Sequence, residues 1–280
     1  MNPLRLVQFT DLHLYGAADG RLRGVEVLAS LRATIAAAEA RIGRWDAVLL
    51  TGDLVQDDPA GYAHVQALFG GSPVPVYCLP GNHDEPEPMR AALSAPPFRL
   101  NAVGTHGEWQ LVMLDSYLHG QAGGRLAATE LQRLDAALAA APARHALVCL
   151  HHHPVPMASR WLDSVGLADA HEFLAVLDAH PQVRGVVWGH VHQAFDSERR
   201  GVRLLGTPST CAQFKPRVPG FAIDGRPPGY RWLELHPDGR IESAVEWVDA
   251  ASAGADVEPS LASGLRPAAE PARGPRAAAR

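Results

Sequence analysis

The chain contains 280 residues, of which 47% are apolar and 20% charged, and its formal net charge is −5. This apolar fraction excludes a disordered protein, and the length suffices for a sizeable core. The acidic balance argues against a nucleic-acid-binding protein, which should be basic. No apolar run approaches the roughly 20 residues that span a bilayer, and residues 1–9 lack a signal-peptide core. We therefore expect a cytoplasmic protein with neither a nucleic-acid nor a membrane partner.

The cysteines and histidines indicate which kinds of site the sequence can contain. The three cysteines, Cys78, Cys149 and Cys211, are widely spaced in apolar surroundings. They form no disulfide framework, so we expect buried thiols in a reducing compartment. Fourteen histidines are many for this length, and several of them occur in tight groups. Since histidine is the commonest metal ligand, these groups are candidate metal sites.

Strand and helix patterns alternate along the chain. Short β-branched and aliphatic runs predict strands at 4–9, 47–50, 74–79, 110–114, 146–150, 185–188, 202–205 and 230–235. Apolar residues at helical spacing predict helices near 28–42, 131–138 and 173–177. Thr129 and Gln132 have capping-box spacing at the start of the second helix. The alternation predicts an α/β layered domain with a largely parallel core, and residues 193–248 predict an antiparallel or mixed end to the sheet.

A change of composition near residue 250 predicts the domain boundary. Residues 1–250 show no internal repeat and no linker, so we expect them to form one domain. Residues 251–280 are mostly Ala, Pro, Gly, Ser and Arg, without helical or strand periodicity. This composition predicts a disordered tail.

Polar residues with metal-ligand chemistry follow five of the predicted strands. In parallel α/β sheets ligands gather beyond the carboxyl ends of strands, so these five ends can converge on one point. Each motif alone also occurs in ordinary turns, and only their joint occurrence in this order indicates a site. The motifs are Asp11-Leu12-His13, Gly52-Asp53, Gly81-Asn82-His83-Asp84, His151-His152-His153-Pro154 and Gly189-His190-Val191-His192.

Seven donors at such a point exceed what one four-coordinate zinc needs. They suit two ions if one carboxylate is shared, as in two-metal sites that stabilise the attacking and leaving oxygens of a phosphoryl displacement. Glycines within these motifs allow sharp turns beside the ions. The donors are Asp11, His13, Asp53, Asn82, His151, His190 and His192.

This set of motifs resembles the signature of the calcineurin-like metallophosphoesterases. Within that superfamily the sequence is most similar to the bacterial class III cyclic nucleotide phosphodiesterases, which act on 3′,5′-cyclic AMP. The likeness extends over residues 4–248, and the narrower assignment depends mainly on the Thr-Pro-Ser-Thr-Cys segment at 207–211. It implies an α/β fold with four αββα layers: two mixed β-sheets flanked by helices.

The resemblance also implies two metal sites that share Asp53. Asp11, His13 and His192 would complete the first site, and Asn82, His151 and His190 the second. Aligning Pro154-Val155-Pro156 with the family's Pro-x-Pro selects His151 as the ligand. His152 remains the alternative, and His153 is expected to be only a neighbour.

A catalytic role for His83 follows from the same resemblance, since in the family this histidine points at the phosphate. Asp84 would hold its ring. An imidazole near neutral pKa is suited to protonate the poor ribose 3′-alkoxide leaving group. The alternative for His83 is a substrate-orienting donor without proton transfer. The residues expected around the substrate phosphate are Asn82, His83, His13, Asp53, His151 and His192.

The predicted reaction is hydrolysis of 3′,5′-cyclic AMP to 5′-AMP by in-line attack of a hydroxide that bridges the two ions. The resemblance favours an iron–manganese pair or two manganese ions, with zinc as an alternative. His119, Ser209 and Thr210 are weaker candidates near the substrate. Another hydrolase of this fold, such as a glycerophosphodiesterase or phosphomonoesterase, a non-catalytic scaffold and a nuclease are the competing readings. The oligomeric state, monomer or dimer, stays open.

Overall fold

The computed structural model describes residues 2–248, in which strands and helices alternate along most of the chain. The strands are β1 (Leu4–Phe9), β2 (Arg21–Leu22), β3 (Val25–Glu26), β4 (Ala47–Thr51), β5 (Val76–Leu79), β6 (Phe98–Leu100), β7 (Val103–His106), β8 (Trp109–Met113), β9 (His145–Leu150), β10 (Val183–Trp188), β11 (Phe195–Arg199), β12 (Val202–Gly206), β13 (Gln213–Phe214), β14 (Ile223–Asp224), β15 (Gly229–Leu235) and β16 (Ile241–Trp247). The helices are α1 (Val27–Ile42), α2 (Tyr62–Phe69), α3 (Pro86–Ala92), α4 (Ala128–Ala139), α5 (Arg160–Asp163) and α6 (Ala170–Ala179), with a short 3-10 turn at Pro59–Gly61.

Two six-stranded sheets carry the fold. The first has the order β16-β15-β1-β4-β5-β6, and the second has the order β11-β12-β10-β9-β8-β7. β1, β4, β5 and β6 run parallel to one another, as do β8, β9, β10 and β12. In the first sheet, β15 pairs antiparallel with β1, and β16 pairs antiparallel with β15. In the second sheet, the edge strands β7 and β11 pair antiparallel with β8 and β12. Both sheets are therefore mixed, each with a parallel centre.

Alternating side chains divide the core into layers, because successive residues of a strand point to opposite faces. In β1, Leu6 packs between the two sheets, whereas Val7 packs against the layer that contains α1. In β9, Leu147 packs between the sheets and Val148 against the layer with α4 and α6. Strands buried on both faces need near-continuous apolar runs, which is the pattern of these strands. The arrangement is helix–sheet–sheet–helix, which confirms the predicted αββα fold.

The predicted elements differ from the observed ones at their ends. β5 begins at Val76, after Pro75, which lacks the N–H donor of a central strand. The proposed capping box at Thr129 is wrong, because α4 already begins at Ala128 and its cap has no side-chain hydrogen bond. Glu130 instead accepts a hydrogen bond from the backbone N–H of Asp115 at 2.8 Å, and so ties the helix to the end of β8.

The mixed end predicted for residues 193–248 is confirmed by the antiparallel pairing of β11, β15 and β16. All three cysteines are buried free thiols, as expected. In the described part of the chain, none of the helices is long and apolar enough to cross a membrane. The predicted tail at 251–280 and the last two residues of the predicted domain lie outside the described residues.

Candidate metal centre

The carboxyl ends of five strands meet between the two sheets and bring six of the seven predicted ligands into overlapping groups, while the seventh, Asn82, follows β5 and has a buried Oδ1. β1, β4 and β5 of the first sheet lead into Asp11, Asp53 and Asn82. β9 and β10 of the second sheet lead into His151 and His190. Backbone hydrogen bonds join these turns within the first sheet, from Asp11 N to Gly52 O at 3.0 Å and from His13 N to Asp53 O at 2.9 Å.

Five of the seven predicted ligands have a left-handed backbone, which is uncommon outside glycine. Such residues cost of order 1 kcal/mol each and persist only where the surrounding structure enforces them, most often at functional sites. The backbone N–H of His190 supplies one such constraint, donating to both Asp11 carboxylate oxygens at 3.0 Å. The φ angles are 53° at Asp11, 49° at His13, 51° at Asp53, 66° at His190 and 46° at His192.

Asp11, His13 and His192 form the first ligand group. His192 Nε2 lies 3.2 Å from Asp11 Oδ1 and 3.1 Å from His13 Nε2. His192 Nδ1 donates to the Ala212 carbonyl oxygen at 2.6 Å, which leaves Nε2 free to bind a cation. His13 Nε2 is also 3.9 Å from Asp53 Oδ2, so this group adjoins the next one.

Asp53 and His151 lie in one group and His151 and His190 in another, so His151 links them in a second ligand set, of which Asn82 is the predicted fourth member. His151 Nε2 is 3.4 Å from Asp53 Oδ2, and His151 Nδ1 donates to the Thr51 carbonyl oxygen at 2.8 Å. Among the described residues, Asn82 Oδ1, His151 Nε2 and His190 Nε2 are buried without a hydrogen-bond partner. Buried polar atoms are normally paired, and these three are of the atom types that bind metals. The donor set therefore fits two cations that share Asp53.

The electrostatics of the site also favour cations. Burial opposes ionisation of Asp53, yet His151 and His83 hold the pKa of its carboxyl well below the usual range. Burial and the neighbouring imidazoles hold the pKa of His190 well below its ordinary value, and burial lowers that of His13 to about 3. These two imidazoles are thus neutral, the form that binds metals. For His151, burial opposes protonation, but the carboxylates raise the pKa to about 9, so this position stabilises positive charge.

The structure corrects the expected partner of His83. His83 Nδ1 lies 3.1 Å from both carboxylate oxygens of Asp57 and 2.9 Å from Gln56 Nε2. Burial opposes protonation of His83, but Asp53 and Asp57 raise its pKa to about 9. The sequence indicated Asp84 for this contact and missed Asp57, which lies four residues after Asp53.

Asp84 points instead into the protein. Its carboxylate accepts hydrogen bonds from the backbone N–H groups of Leu54, Val55 and Gly81 at 2.8–3.3 Å, and from the Tyr62 hydroxyl at 2.9 Å. The hydrogen bonds of this carboxylate are thus with backbone N–H groups and with Tyr62, and none is with His83. Asp84 joins the turn after β4 to the turn after β5, and so fixes the positions of Asp53 and Asn82.

The triple histidine places two further imidazoles beside the ligands. His152 Nδ1 contacts Ser116 Oγ at 2.8 Å, and one of its ring nitrogens can share a cation with His151 and His190. His153 stacks on the His190 ring with centroids 5.7 Å apart. His151 also groups with Asp11 and Asp53, whereas His152 does not. The geometry therefore favours His151 over His152 as the ligand shared with the carboxylates.

The weaker candidates have mostly structural contacts. Ser209 Oγ donates to the Asp11 carbonyl oxygen at 2.6 Å and accepts from Cys211 N at 2.8 Å, so it holds a turn and does not face a nucleotide. The Thr210 carbonyl oxygen accepts from Ser30 Oγ at 2.5 Å. His119 lies on an exposed loop, where its Nδ1 is 3.2 Å from the Tyr117 hydroxyl.

A series of buried, hydrogen-bonded polar side chains behind the site was not predicted from the sequence. Arg231 is only 2% exposed and donates through Nε to Thr207 Oγ1 at 3.1 Å. Thr207 donates to Gln8 Oε1 at 2.5 Å, and Gln8 Nε2 donates to Thr51 Oγ1 at 2.8 Å. This series of hydrogen bonds ends at Thr51, whose carbonyl group orients His151. These residues are far apart in sequence, and no local pattern marks them.

Comparisons with known proteins agree with this geometry. A model of the calcineurin-like phosphoesterase family matches residues 4–194. The 3′,5′-cyclic adenosine monophosphate phosphodiesterase CpdA of Pseudomonas aeruginosa is 40% identical over 245 residues, covering 87% of this chain and 90% of that protein. The CpdA of Escherichia coli K12 is 39% identical over 246 residues, covering 86% and 89%. A 3′,5′-cyclic-nucleotide phosphodiesterase of a Nostoc species is 36% identical over 247 residues, covering 88% and 93%.

Solved structures with much lower identity share the fold. A dimetal phosphatase from Danio rerio superposes with a TM-score of 0.60 at 15% identity, covering 89% of this chain and 100% of that one. A purple acid phosphatase from yellow lupin superposes with a TM-score of 0.58 at 14% identity, covering 95% of this chain and 57% of that one. The family match and the close relatives carry the assignment: the chain belongs to the calcineurin-like phosphoesterase family.

Proposed function

We propose that this chain hydrolyses 3′,5′-cyclic AMP to 5′-AMP with two bound metal ions and thereby lowers a cyclic nucleotide signal. The observation that carries the proposal is the convergence of six predicted ligands in overlapping groups around Asp53, with His83 beside them. The relatives that cover most of this chain at 36–40% identity are named cyclic nucleotide phosphodiesterases, which supports this substrate class.

The two ions would be held by groups that share one carboxylate. Asp11, His13, Asp53 and His192 would hold the first, and Asp53, Asn82, His151 and His190 the second. Two such ions would supply a Lewis acid for the phosphoryl oxygens and a water of lowered pKa. Mixed nitrogen and oxygen donors suit iron, manganese and zinc, and we propose iron with manganese or two manganese ions.

His83 acts on the leaving group. The contact of its Nδ1 with Asp57 orients the ring and favours the imidazolium form, with the second proton on Nε2. As the bond between phosphorus and the ribose 3′-oxygen breaks, Nε2 donates its proton to that oxygen. Water supplies the new hydroxyl group on phosphorus and releases its other proton to solvent, and His83 regains a proton from solvent. The net reaction adds one water molecule to cyclic AMP and gives 5′-AMP. General acids of this kind contribute about 10²–10⁴-fold to rate.

The residues that would surround the phosphate are Asn82, His83, His13, Asp53, His151 and His192. The backbone N–H of His83 donates to Asp53 Oδ1 at 2.8 Å and fixes His83 relative to the shared ligand. The edge of the His13 ring meets the His83 ring at a centroid separation of 5.3 Å. A phosphate bound between the ions would therefore lie within reach of His83. The three buried free thiols suit a reducing compartment, and we propose the cytoplasm.

The test is a substrate panel on protein reconstituted with Mn²⁺. Cyclic AMP, glycerophosphocholine, bis(4-nitrophenyl) phosphate and 5′-AMP would be compared by kcat/KM, with product identified by chromatography. We expect 5′-AMP from cyclic AMP at the highest kcat/KM of the panel, and its loss in Asp53→Asn. Asp19→Asn, an exposed acid on a turn, is the matched control and should behave as wild type. Absence of cyclic AMP hydrolysis, with another ester cleaved, would replace the proposal by another hydrolase of this fold.

A further inference from the structure

An aromatic cluster adjoins the metal centre and has no part in the ligand set. Phe214 stacks on the ring of His192 with centroids 3.9 Å apart and planes at 11°. Trp161 and Phe221 each meet Phe214 edge-on, with centroid separations of 5.2 and 5.3 Å, and their rings are also 5.2 Å apart. We call Trp161, Phe214 and Phe221 the aromatic cluster.

Three separate segments build this cluster. Trp161 lies in α5, just after the loop that follows the triple histidine, and Phe214 lies in β13. Phe221 lies in the turn between β13 and β14, which is held by their pairing and by a hydrogen bond from Lys215 N to Ala222 O at 2.8 Å. The backbone N–H of Phe214 donates to the His192 carbonyl oxygen at 3.2 Å, which joins the cluster to a metal ligand.

Phe221 presents the cluster to solvent. It is 36% exposed, and with Val103 it is one of two large apolar side chains that are exposed within residues 2–248. Trp161 and Phe214 are half-buried beneath it. Phe221 is thus an exposed ring supported by two further rings, one of which stacks on His192, and it offers a surface to a flat ligand.

Three cationic side chains lie on or against the cluster's segments, which also carry Asp163 in α5 and Asp224 in β14. The guanidinium carbon of Arg23 lies 5.1 Å from the Phe221 ring centroid, in the geometry of a cation–π contact. Lys215, the only lysine of the chain, and Arg217 are exposed on the segment between Phe214 and Phe221. An anionic ligand that carries an aromatic ring matches both the rings and this charge.

We propose that the aromatic cluster is the platform for the purine base of the cyclic nucleotide. The proposal rests on the proposed function, because a nucleotide whose phosphate lies at the ions must place its base close to them. Phe214 abuts His192, so the platform begins where the phosphate site ends. Base–aromatic stacking tolerates any base because every base has a π-face, which makes the cluster a nucleotide-recognition surface and not a cyclic-AMP-specific one.

Binding of products to the metal-loaded chain tests this directly. Dissociation constants of 5′-AMP, ribose 5-phosphate and inorganic phosphate would be measured by titration calorimetry. We expect 5′-AMP to bind about tenfold more tightly than ribose 5-phosphate, which has the same sugar and phosphate but no base. Equal affinities for the two would overturn the proposal without any variant.

Variants at Phe221 locate the effect. Phe221→Leu should weaken 5′-AMP binding about tenfold and raise KM for cyclic AMP, with phosphate binding, metal content and kcat unchanged. Phe221→Tyr retains the ring and should bind 5′-AMP as wild type does. Val103→Ala, at the other exposed apolar position, is the control. The platform is not at this cluster if Phe221→Leu lowers the affinities for 5′-AMP and phosphate equally. The same conclusion follows if it leaves both affinities unchanged.

These measurements distinguish an error in the proposed function from an error in the proposed platform. If the wild-type chain, loaded with metal, leaves cyclic AMP intact, the function is wrong whatever the affinities. If it hydrolyses cyclic AMP but binds 5′-AMP no better than ribose 5-phosphate, the function stands and the platform is wrong.

Discussion

Replacing Gly52 by alanine perturbs the second ligand group without removing a ligand. Gly52 has a φ of +93° and lies between β4 and Asp53, the proposed shared ligand. A Cβ atom there would lie 2.7 Å from His151 Cγ, even closer to His151 Nδ1, and 2.8 Å from the backbone nitrogen of Gly81. These neighbours cannot yield easily, because the His151 ring is fully buried and held by the Thr51 carbonyl group.

Two penalties add at this position. A left-handed alanine costs about 1–2 kcal/mol. Overpacking a buried site costs typically about 1–3 kcal/mol more. We therefore expect Gly52→Ala to lower the free energy of unfolding by about 2–5 kcal/mol. Because the overlap displaces His151 from Asp53, the second ion should also be lost.

Gly43→Ala is the matched control. Gly43 has a φ of +77° at the end of α1, and a Cβ atom there would meet nothing within 4 Å. Its ψ of −84° puts Gly43 outside the left-handed helical region, so an alanine there should lower the free energy of unfolding by its own backbone strain of about 1–3 kcal/mol and should retain both ions. Urea unfolding gives the stability, and elemental analysis by mass spectrometry gives the metal content. If Gly52→Ala retained two ions and lost no more stability than Gly43→Ala, the account of His151 packing would be wrong.

Three further perturbations test other parts of the centre. Asp53→Ala should lose both ions, because one carboxylate serves the two groups; two ions retained in elemental analysis would refute the sharing. Asp57→Asn removes the carboxylate partner of His83 and should lower kcat for cyclic AMP about 10- to 100-fold with metal content unchanged. A wild-type kcat would show that the contact between His83 and Asp57 does not contribute to catalysis. Chelation of the ions should lower the thermal unfolding midpoint, since a ligand at 100 times its dissociation constant stabilises by about 2.7 kcal/mol per site. An unchanged midpoint with and without Mn²⁺ would mean that folding does not depend on the centre.

Much of the fold was predictable because its signals are local. A strand buried on both faces needs a continuous apolar run, and each polar motif directly follows such a run. Since parallel strands of one sheet end at one edge, the motifs at Asp11 and Asp53 had to lie together once the strands were recognised, whereas His151 joins them because the second sheet packs on the first. The same logic failed at strand and helix ends, as at Pro75 and Thr129, where capping and pairing depend on neighbours in space.

Partners that lie across turns were not predictable from spacing. Asp57 and Asp84 are both acids close to site motifs, and which one faces His83 depends on how two turns pack. The inward Asp84 is explained by four convergent donors, none of which has a sequence signature. The aromatic cluster is similar, because Trp161 and Phe221 are separated by sixty residues and meet only in the folded chain.

The central claim is that two ions share Asp53 where the five strands end. Anomalous diffraction from crystals of the chain loaded with Mn²⁺ tests it most directly. The account predicts two manganese peaks about 3.5–4 Å apart, one beside His192 and one beside His151, with the Asp53 carboxylate between them. A single peak, or two peaks without Asp53 as a common ligand, would contradict it.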